Sequence, residues 1–504
     1  MRALSPVDLL FLGLENRKQP MHVGGLFLFV MPDNAPADFV HQLVQDIRAS
    51  RAVPVAPFNQ VLNGLFWDED EEFDIDQHFR HISLPRPGRI RELLTYISQE
   101  HSALIDRAKP LWECHIIEGI EGNRFAMYFK MHHAMVDGIA GMRLVEKSFS
   151  HSPNDHHIVP IWSVKNNRLK KPGTNPLSKS AKLLNLVTEQ IGSAPTVTRE
   201  VLTALRELRS NPDYVSAFQA PRSILNQPVS ASRRFAAQSY ALPRFRAAAK
   251  KLGVTINDMI LAICSGAIRS YLISQRALPK KPLIAMVPIS LRKDDSDSGN
   301  QISMILANLG THKADPMDRL AMIRRSVINA KERFGRMSQS EIINYSGIVY
   351  SVAGLNLITG VLPRLQAFNL VISNVTGPRE ALYWNGAKLD ALYPVSIVLD
   401  GQAINITLSS YQDKLEVGII ACRRTLPRIQ SLLALLEDEL LAFEHLTQHI
   451  QLPESTNAAD VKTAEVTSAA EPALSSSSED SAPDNSSSDN SSSDCDSPIA
   501  TTLG

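Results

Sequence analysis

Cysteine is scarce in this 504-residue chain: Cys114, Cys264, Cys422 and Cys495 lie far apart and none belongs to a CxxC pair. That spacing supports neither a disulfide framework nor a cysteine zinc site, and it points to a reducing compartment. A GxSxG segment is also missing, so the strained turn that presents the serine of many hydrolases is not expected. The first twenty residues, MRALSPVDLLFLGLENRKQP, hold no long apolar stretch and no small-residue cleavage site, which argues against a secretory signal. Long hydrophobic runs are lacking as well. The longest uncharged stretch, residues 342–363, carries Asn344, Gly347, Gly354, Asn356 and Gly360 and is too polar for a confident membrane span. It reads as a buried helical segment lining the core, with an interfacial membrane contact as the alternative.

What is present is a chain 44% hydrophobic and 21% charged, the composition of a globular protein with a large core, and long enough for two or three domains. The net charge of zero hides an asymmetry. Residues 453–504 contain ten acidic residues and one lysine, Lys462; without them the chain's 52 residues of each sign become 51 basic against 42 acidic, a net of +9. A basic body favours an anionic ligand or an anionic lipid surface. The tail is rich in Ser, Asp and Pro with almost no apolar content and is expected to be disordered.

Along the body, two α/β patterns flank a segment of different character. In the first, GGLFLFV (24–30) reads as a buried strand and ADFVHQLVQDIRAS (37–50) as a helix with Val40, Leu43, Val44 and Ile47 on one face. RELLTYISQEHSAL (91–104) reads as a second amphipathic helix. CHIIEGI (114–120) and RFAMYFKMHH (124–133) read as paired strands joined by the turn Glu121-Gly122-Asn123. From about 150 to 221 come a basic run (Lys165, Arg168, Lys170, Lys171) and helical stretches at 183–191 and 198–208, read as a solvated crossover linker, with a lipid-surface segment as the alternative. The second pattern opens with LPRFRAAAKKLG, a helix closed by a glycine, and TINDMILAICSGAIRSYLI, a helix with Asn257 or Asp258 near its start. PLIAMVPIS, FNLVISNV, VSIVLD, INITLSSY and KLEVGIIA read as strands, and 429–446 as a closing helix. The resulting domain organisation is 1–150, a helical and basic linker 151–220, 221–452, and the tail 453–504.

The chemistry concentrates in Met131-His132-His133-Ala134-Met135-Val136-Asp137-Gly138, where a strand ends and a helix begins. An alcohol attacking a carbonyl at neutral pH needs a base, and histidine, with a reference pKa of about 6.5, supplies one near working pH. A neighbouring carboxylate can fix the ring or its loop, and glycine permits a tight turn and close approach of a ligand. A metal pair from His133 and Asp137 lacks a visible third ligand, so no metal is expected. Two core histidines that merely precede an aspartate are the plainer alternative. The other histidine pair, His156-His157, is followed by Ile-Val-Pro in a polar loop and receives no role.

HHAMVDG resembles the HHxxxDG motif of acyltransferases related to chloramphenicol acetyltransferase and of peptide-synthetase condensation domains. Together with LSPVDLLFLGLENRKQPMHVGGL, PLWE (110–113), TINDMILA (255–262), VPISLR (287–292), GNQISMILANL (299–309) and VISNVTGP (371–378), it makes the chain similar to the bacterial wax ester synthase/acyl-CoA:diacylglycerol acyltransferases. Thr376 departs from the proline expected in the last of these segments. The resemblance implies an α/β fold of two chloramphenicol-acetyltransferase-like domains, joined by the helical crossover linker, with the active-site tunnel between them. It implies transfer of a long-chain acyl group from acyl-CoA to a fatty alcohol or diacylglycerol. No covalent acyl-enzyme and no cofactor beyond the acyl-CoA co-substrate are expected. Carried across, His133 is the general base, His132 supports it, and Asp137 is structural, with Arg292 as its expected partner. Gly138 belongs to the binding region. Asn257 reads either as a donor to the oxyanion or acyl group or as a helix cap. Ser373 and Asn374 read as site-facing or as capping a strand end, and Pro110, Leu111 and Trp112 as a structural corner. The expected location is cytoplasmic, peripheral to the inner membrane or to lipid inclusions, with no nucleic-acid partner. Two other readings stand: an enzyme of the same superfamily with a different acceptor, and a non-catalytic lipid-binding protein on this fold.

Overall fold

The computed structural model describes residues 2–50, 52–136, 138–165, 215, 219–290, 302–336 and 366–450, all within one unit, Met1–Leu452. Outside the described residues fall Asp137, Arg292, the helical stretches of the linker, the run 342–363 and the tail.

The chain opens with β1 (Arg2–Ala3), α1 (Pro6–Leu14) and β2 (His22–Val30), followed by α2 (Phe39–Ala49). A short hairpin, β3 (Gln60–Asn63) and β4 (Phe66–Glu69), precedes β5 (Phe79–Ser83) and α3 (Ile90–Glu100). Then come β6 (Trp112–Ile120), β7 (Arg124–His132) and α4 (Gly138–Ser148). The second half begins with β8 (Arg233–Ala241), α5 (Leu242–Leu252), α6 (Ile256–Ser274) and β9 (Ile284–Ser290). It continues with β10 (Ile302–Asn308), α7 (Pro316–Arg336), β11 (Leu370–Val375), β12 (Tyr383–Trp384) and β13 (Ala387–Val395). It ends with β14 (Ile404–Tyr411), β15 (Lys414–Cys422) and α8 (Ser431–Thr447).

Most of the expected elements are there. The hairpin β6–β7 turns at Gly122 and Asn123, both with positive φ, and α5 closes on Gly253 in the left-handed region at φ 62°. Two expectations need correction. VSIVLD is not a strand: β13 ends at Val395, and the rest folds into a tight bridge, Leu399 to Gln402, around Asp400-Gly401. There the Asp400 carboxylate accepts the Val229 N–H, so β-branched content marks burial without a ladder. The cap of α6 is Thr255, in a reciprocal capping box with Asp258; Asn257 stands at the second helical position and does not cap.

Two six-stranded sheets carry the architecture. The first runs β12-β13-β2-β7-β6-β5 and the second β10-β9-β11-β14-β15-β8. The first sheet is thus completed by strands from far down the chain: β13 pairs antiparallel with β2, with Tyr393 opposite Leu26. Side chains on β7 alternate between two cores. Phe125, Met127, Phe129 and Met131 pack with α2 and Trp162, whereas Ala126 and Tyr128 join the larger core shared with α3 and the second sheet. A strand buried on both faces reads as a continuous apolar run, as this one does. At the contact between sheets, a Cβ on Gly418 of β15 would lie 1.9 Å from the Pro394 carbonyl oxygen of β13, so only glycine lets the strands meet there. Helix α6 is long and apolar enough to span a bilayer by length and composition, yet it is packed against α5, α7 and α8 with most of its side chains buried.

Candidate active site

The double histidine stands where β7 leaves the first sheet. His132 is the last residue of the strand, opposite His22 of β2, and His133 begins the turn toward α4, which opens at Gly138. Backbone bonds pin both: the His132 N–H donates to the Leu111 carbonyl at 2.9 Å and the His133 N–H to the Met21 carbonyl at 2.8 Å. The Pro110-Leu111-Trp112 corner therefore supports the site through the middle residue. Trp112 is fully buried, stacks on Phe129 and Trp162, and donates its indole N–H to the Phe58 carbonyl, while Pro110 is buried beside it.

The two rings have different surroundings. His132 is fully buried; its Nδ1 accepts the Ala134 N–H at 3.1 Å, and its Nε2 lies 3.5 Å from the Glu15 carboxylate, longer than a good hydrogen bond but within ion-pair range. His133 is half-buried and stacks face to face on Phe11, ring centroids 4.2 Å apart. Phe11 lies in α1 and Glu15 caps that helix, one turn apart on one face, so α1 reaches both histidines. Glu15 is held by the Met21 N–H and by two donors of Arg107 at 2.9 and 3.0 Å. Burial pushes its pKa up, but His132, the Met21 N–H and Arg107 outweigh that and hold it below the ordinary carboxyl value.

Behind His132 lies a buried polar layer. His22 donates from Nε2 to the His101 carbonyl, and His101 donates to the Ser396 carbonyl at 2.8 Å while accepting from the Tyr128 hydroxyl. Burial lowers the pKa of both histidines, that of His101 to about 3, so they are neutral at working pH. Lys130, fully buried, bonds Glu113 at 2.9 Å and the Glu100 carbonyl at 3.1 Å. Glu100, Glu113 and His115 converge as metal ligands would, but the Lys130 ammonium and the Arg80 guanidinium already neutralise that cluster.

The remaining expected residues stand in the second half. Asn257 is half-buried at the start of α6; Ser373, half-buried, and Asn374, exposed, lie near the end of β11 opposite Thr407 and Leu408 of β14. Sequence reasoning missed Phe11, Glu15 and Arg107. The signal for the first two was their spacing of four residues in LFLGLE, just ahead of the strand that pairs with β7.

Comparison with known proteins gives a consistent answer. The model of the wax ester synthase/diacylglycerol acyltransferase catalytic domain matches residues 4–260, and that of the corresponding C-terminal domain matches residues 298–444. An O-acyltransferase WSD of Acinetobacter baylyi is 66% identical over 445 residues, covering 88% of this chain and 97% of the relative. The wax ester synthase/diacylglycerol acyltransferase from Marinobacter aquaeolei VT8 superposes with a TM-score of 0.73 at 44% identity, covering 89% of this chain and all of that one. The first condensation domain of the CDA synthetase shares the fold alone, at a TM-score of 0.50 and 13% identity over 90% of this chain and 96% of that one.

Proposed function

Because the chain belongs to the wax ester synthase/diacylglycerol acyltransferase family, we propose that it transfers a long-chain acyl group from acyl-CoA to the hydroxyl of a fatty alcohol or diacylglycerol, with His133 as general base. His133 removes the hydroxyl proton as the oxygen attacks the thioester carbonyl carbon. The tetrahedral oxyanion collapses, the C–S bond breaks, and His133 returns the proton to the departing CoA thiolate. Acyl group and proton simply change places between oxygen and sulfur, so the step needs no redox partner and no covalent acyl-enzyme.

The observation that carries the choice of base is the contrast between the two rings. His132 is sealed in the sheet with Nδ1 occupied by the Ala134 N–H and Nε2 against Glu15, whereas His133 keeps exposed surface. A base must come within about 3 Å of the proton it takes, and only the accessible ring can do so. Asn257 is assigned to the oxyanion or acyl carbonyl, Gly138, Ser373 and Asn374 to the walls of an apolar tunnel between the two domains, and Asp137, paired with Arg292, to holding the loop.

The test is release of free CoA thiol from palmitoyl-CoA, with hexadecanol or dipalmitoylglycerol as acceptor. Acceptor-dependent release is expected, and the two acceptors rank the activities; its absence in folded protein would overturn the assignment. In the same assay Arg292→Ala is expected to lower turnover at least tenfold, and full activity in that variant would sink the Asp137 pairing.

Neutral products must leave the enzyme for a membrane or lipid droplet, so we place the protein at such a surface, supported by the +9 charge of the body. Co-sedimentation with vesicles containing anionic lipid is expected to fall as salt rises. Complete recovery in the supernatant at low salt would overturn that placement.

A further inference from the structure

We infer that Glu15 is the positioning residue of the histidine turn: its carboxylate orients the ring of His132 and, through the peptide of Met21, the backbone of His133. The inference rests on the reading of His133 as the base.

Ala134 N–H donates to His132 Nδ1, and a nitrogen that accepts carries no hydrogen, so the ring N–H is on Nε2. Nε2 is buried, has no full hydrogen bond, and faces Glu15 Oε1 at 3.5 Å. A carboxylate there selects this tautomer, as outer carboxylates do for other functional histidines. The bond to Ala134 spans His133, so fixing the His132 ring also fixes the turn that carries the base.

Glu15 reaches His133 by a second route. Its Oε1 accepts the Met21 N–H at 3.0 Å, and the carbonyl of the same residue accepts the His133 N–H at 2.8 Å. The other oxygen, Oε2, takes two bonds from Arg107, whose guanidinium also donates to the Leu12 carbonyl in α1 at 2.7 Å. One carboxylate is thus held by two arginine donors on its outer oxygen and presents its inner oxygen to the His132 ring and to the Met21 N–H. Phe11 completes the clamp by stacking on His133 from the same helix. Displacement of a reacting group by about 1 Å can cost on the order of a hundredfold in rate, so such a clamp acts on turnover rather than on binding.

The experiment compares wild type with Glu15→Gln, Arg107→Met and the double variant in the CoA-release assay. Glu15→Gln is expected to lower kcat tenfold or more, with KM for palmitoyl-CoA within twofold and an unchanged folded fraction by circular dichroism. Arg107 is partly exposed, so Arg107→Met is expected to fold; it should give a smaller fall in kcat, and the double variant no more than Glu15→Gln alone, because both act through one carboxylate. Turnover within twofold of wild type in both single variants would overturn the inference, as would a fall matched by loss of folded protein or confined to KM. If wild type itself shows no acceptor-dependent turnover, the base reading fails instead. Histidine 15N shifts then decide the positioning alone: a His132 proton held on Nε2 in wild type and redistributed in Glu15→Gln supports it, and identical patterns overturn it.

Discussion

Alanine in place of His133 is expected to reduce acceptor-dependent CoA release by roughly a hundredfold to ten-thousandfold, the usual contribution of a positioned general base. The size of the loss follows from what remains. The acyl-CoA and acceptor still bind, so KM for palmitoyl-CoA should move little, and the fall should lie in kcat. The folded state should survive, because His133 is half-buried and its backbone bond to Met21 does not depend on the side chain. His132→Ala is the control with a different signature: it opens a cavity in a sealed part of the sheet and leaves the buried Glu15 carboxylate without its imidazole, so lost turnover should come with lost stability. Retention of more than a tenth of wild-type kcat by His133→Ala would remove that residue from the role of base.

The two histidines are legible in the chain itself because the motif is local: strand, turn, glycine and helix follow one another within a few residues. The same holds for β2, for the β6–β7 hairpin and for α5 with its closing glycine, where period and turn residues act over short range. What escaped reading depends on contacts between distant segments. Nothing in AKLDALYPV announces that it completes the first sheet beside β2, since strand pairing leaves no local mark. VSIVLD has the composition of a strand, but its apolar side chains serve the core while its backbone turns at Gly401. Glu15 is followed directly by Asn16, Arg17 and Lys18, and nothing local marks it for burial; only the fold brings its carboxylate against His132. Nothing local marks Lys130 and Glu113 as partners, yet in space they form a sealed ion pair.

That pair carries the second large prediction. Lys130 lies two residues before His132 on β7 and Glu113 opposite it on β6, with the ammonium fully buried and the carboxylate nearly so. Burial pushes the Glu113 pKa up, but His115 and Lys130 outweigh it and hold the carboxyl down at about 2. The group is therefore charged at every pH where the enzyme works, and Lys130→Met leaves that charge without its cation. Breaking a buried pair from one side typically costs about 3–5 kcal/mol, enough to unfold a marginal protein. Removing both charges, as in Lys130→Met with Glu113→Leu, should recover most of the loss, since an apolar pair of similar volume is often neutral. The sign of the pH dependence follows from the depressed pKa: the stabilisation is complete above the ordinary carboxyl value and is lost as pH falls toward 2, about 3 kcal/mol over that window. Urea denaturation of wild type, single and double variants at pH 7, and at steps from pH 5 down to about pH 2.5, measures both effects. A single variant as stable as wild type at pH 7 would show that Glu113 finds another partner, with Arg80 at 3.5 Å the candidate. Because β7 delivers both histidines to the site, variants that fold with this pair broken should lose turnover in proportion to how far the strand end has shifted.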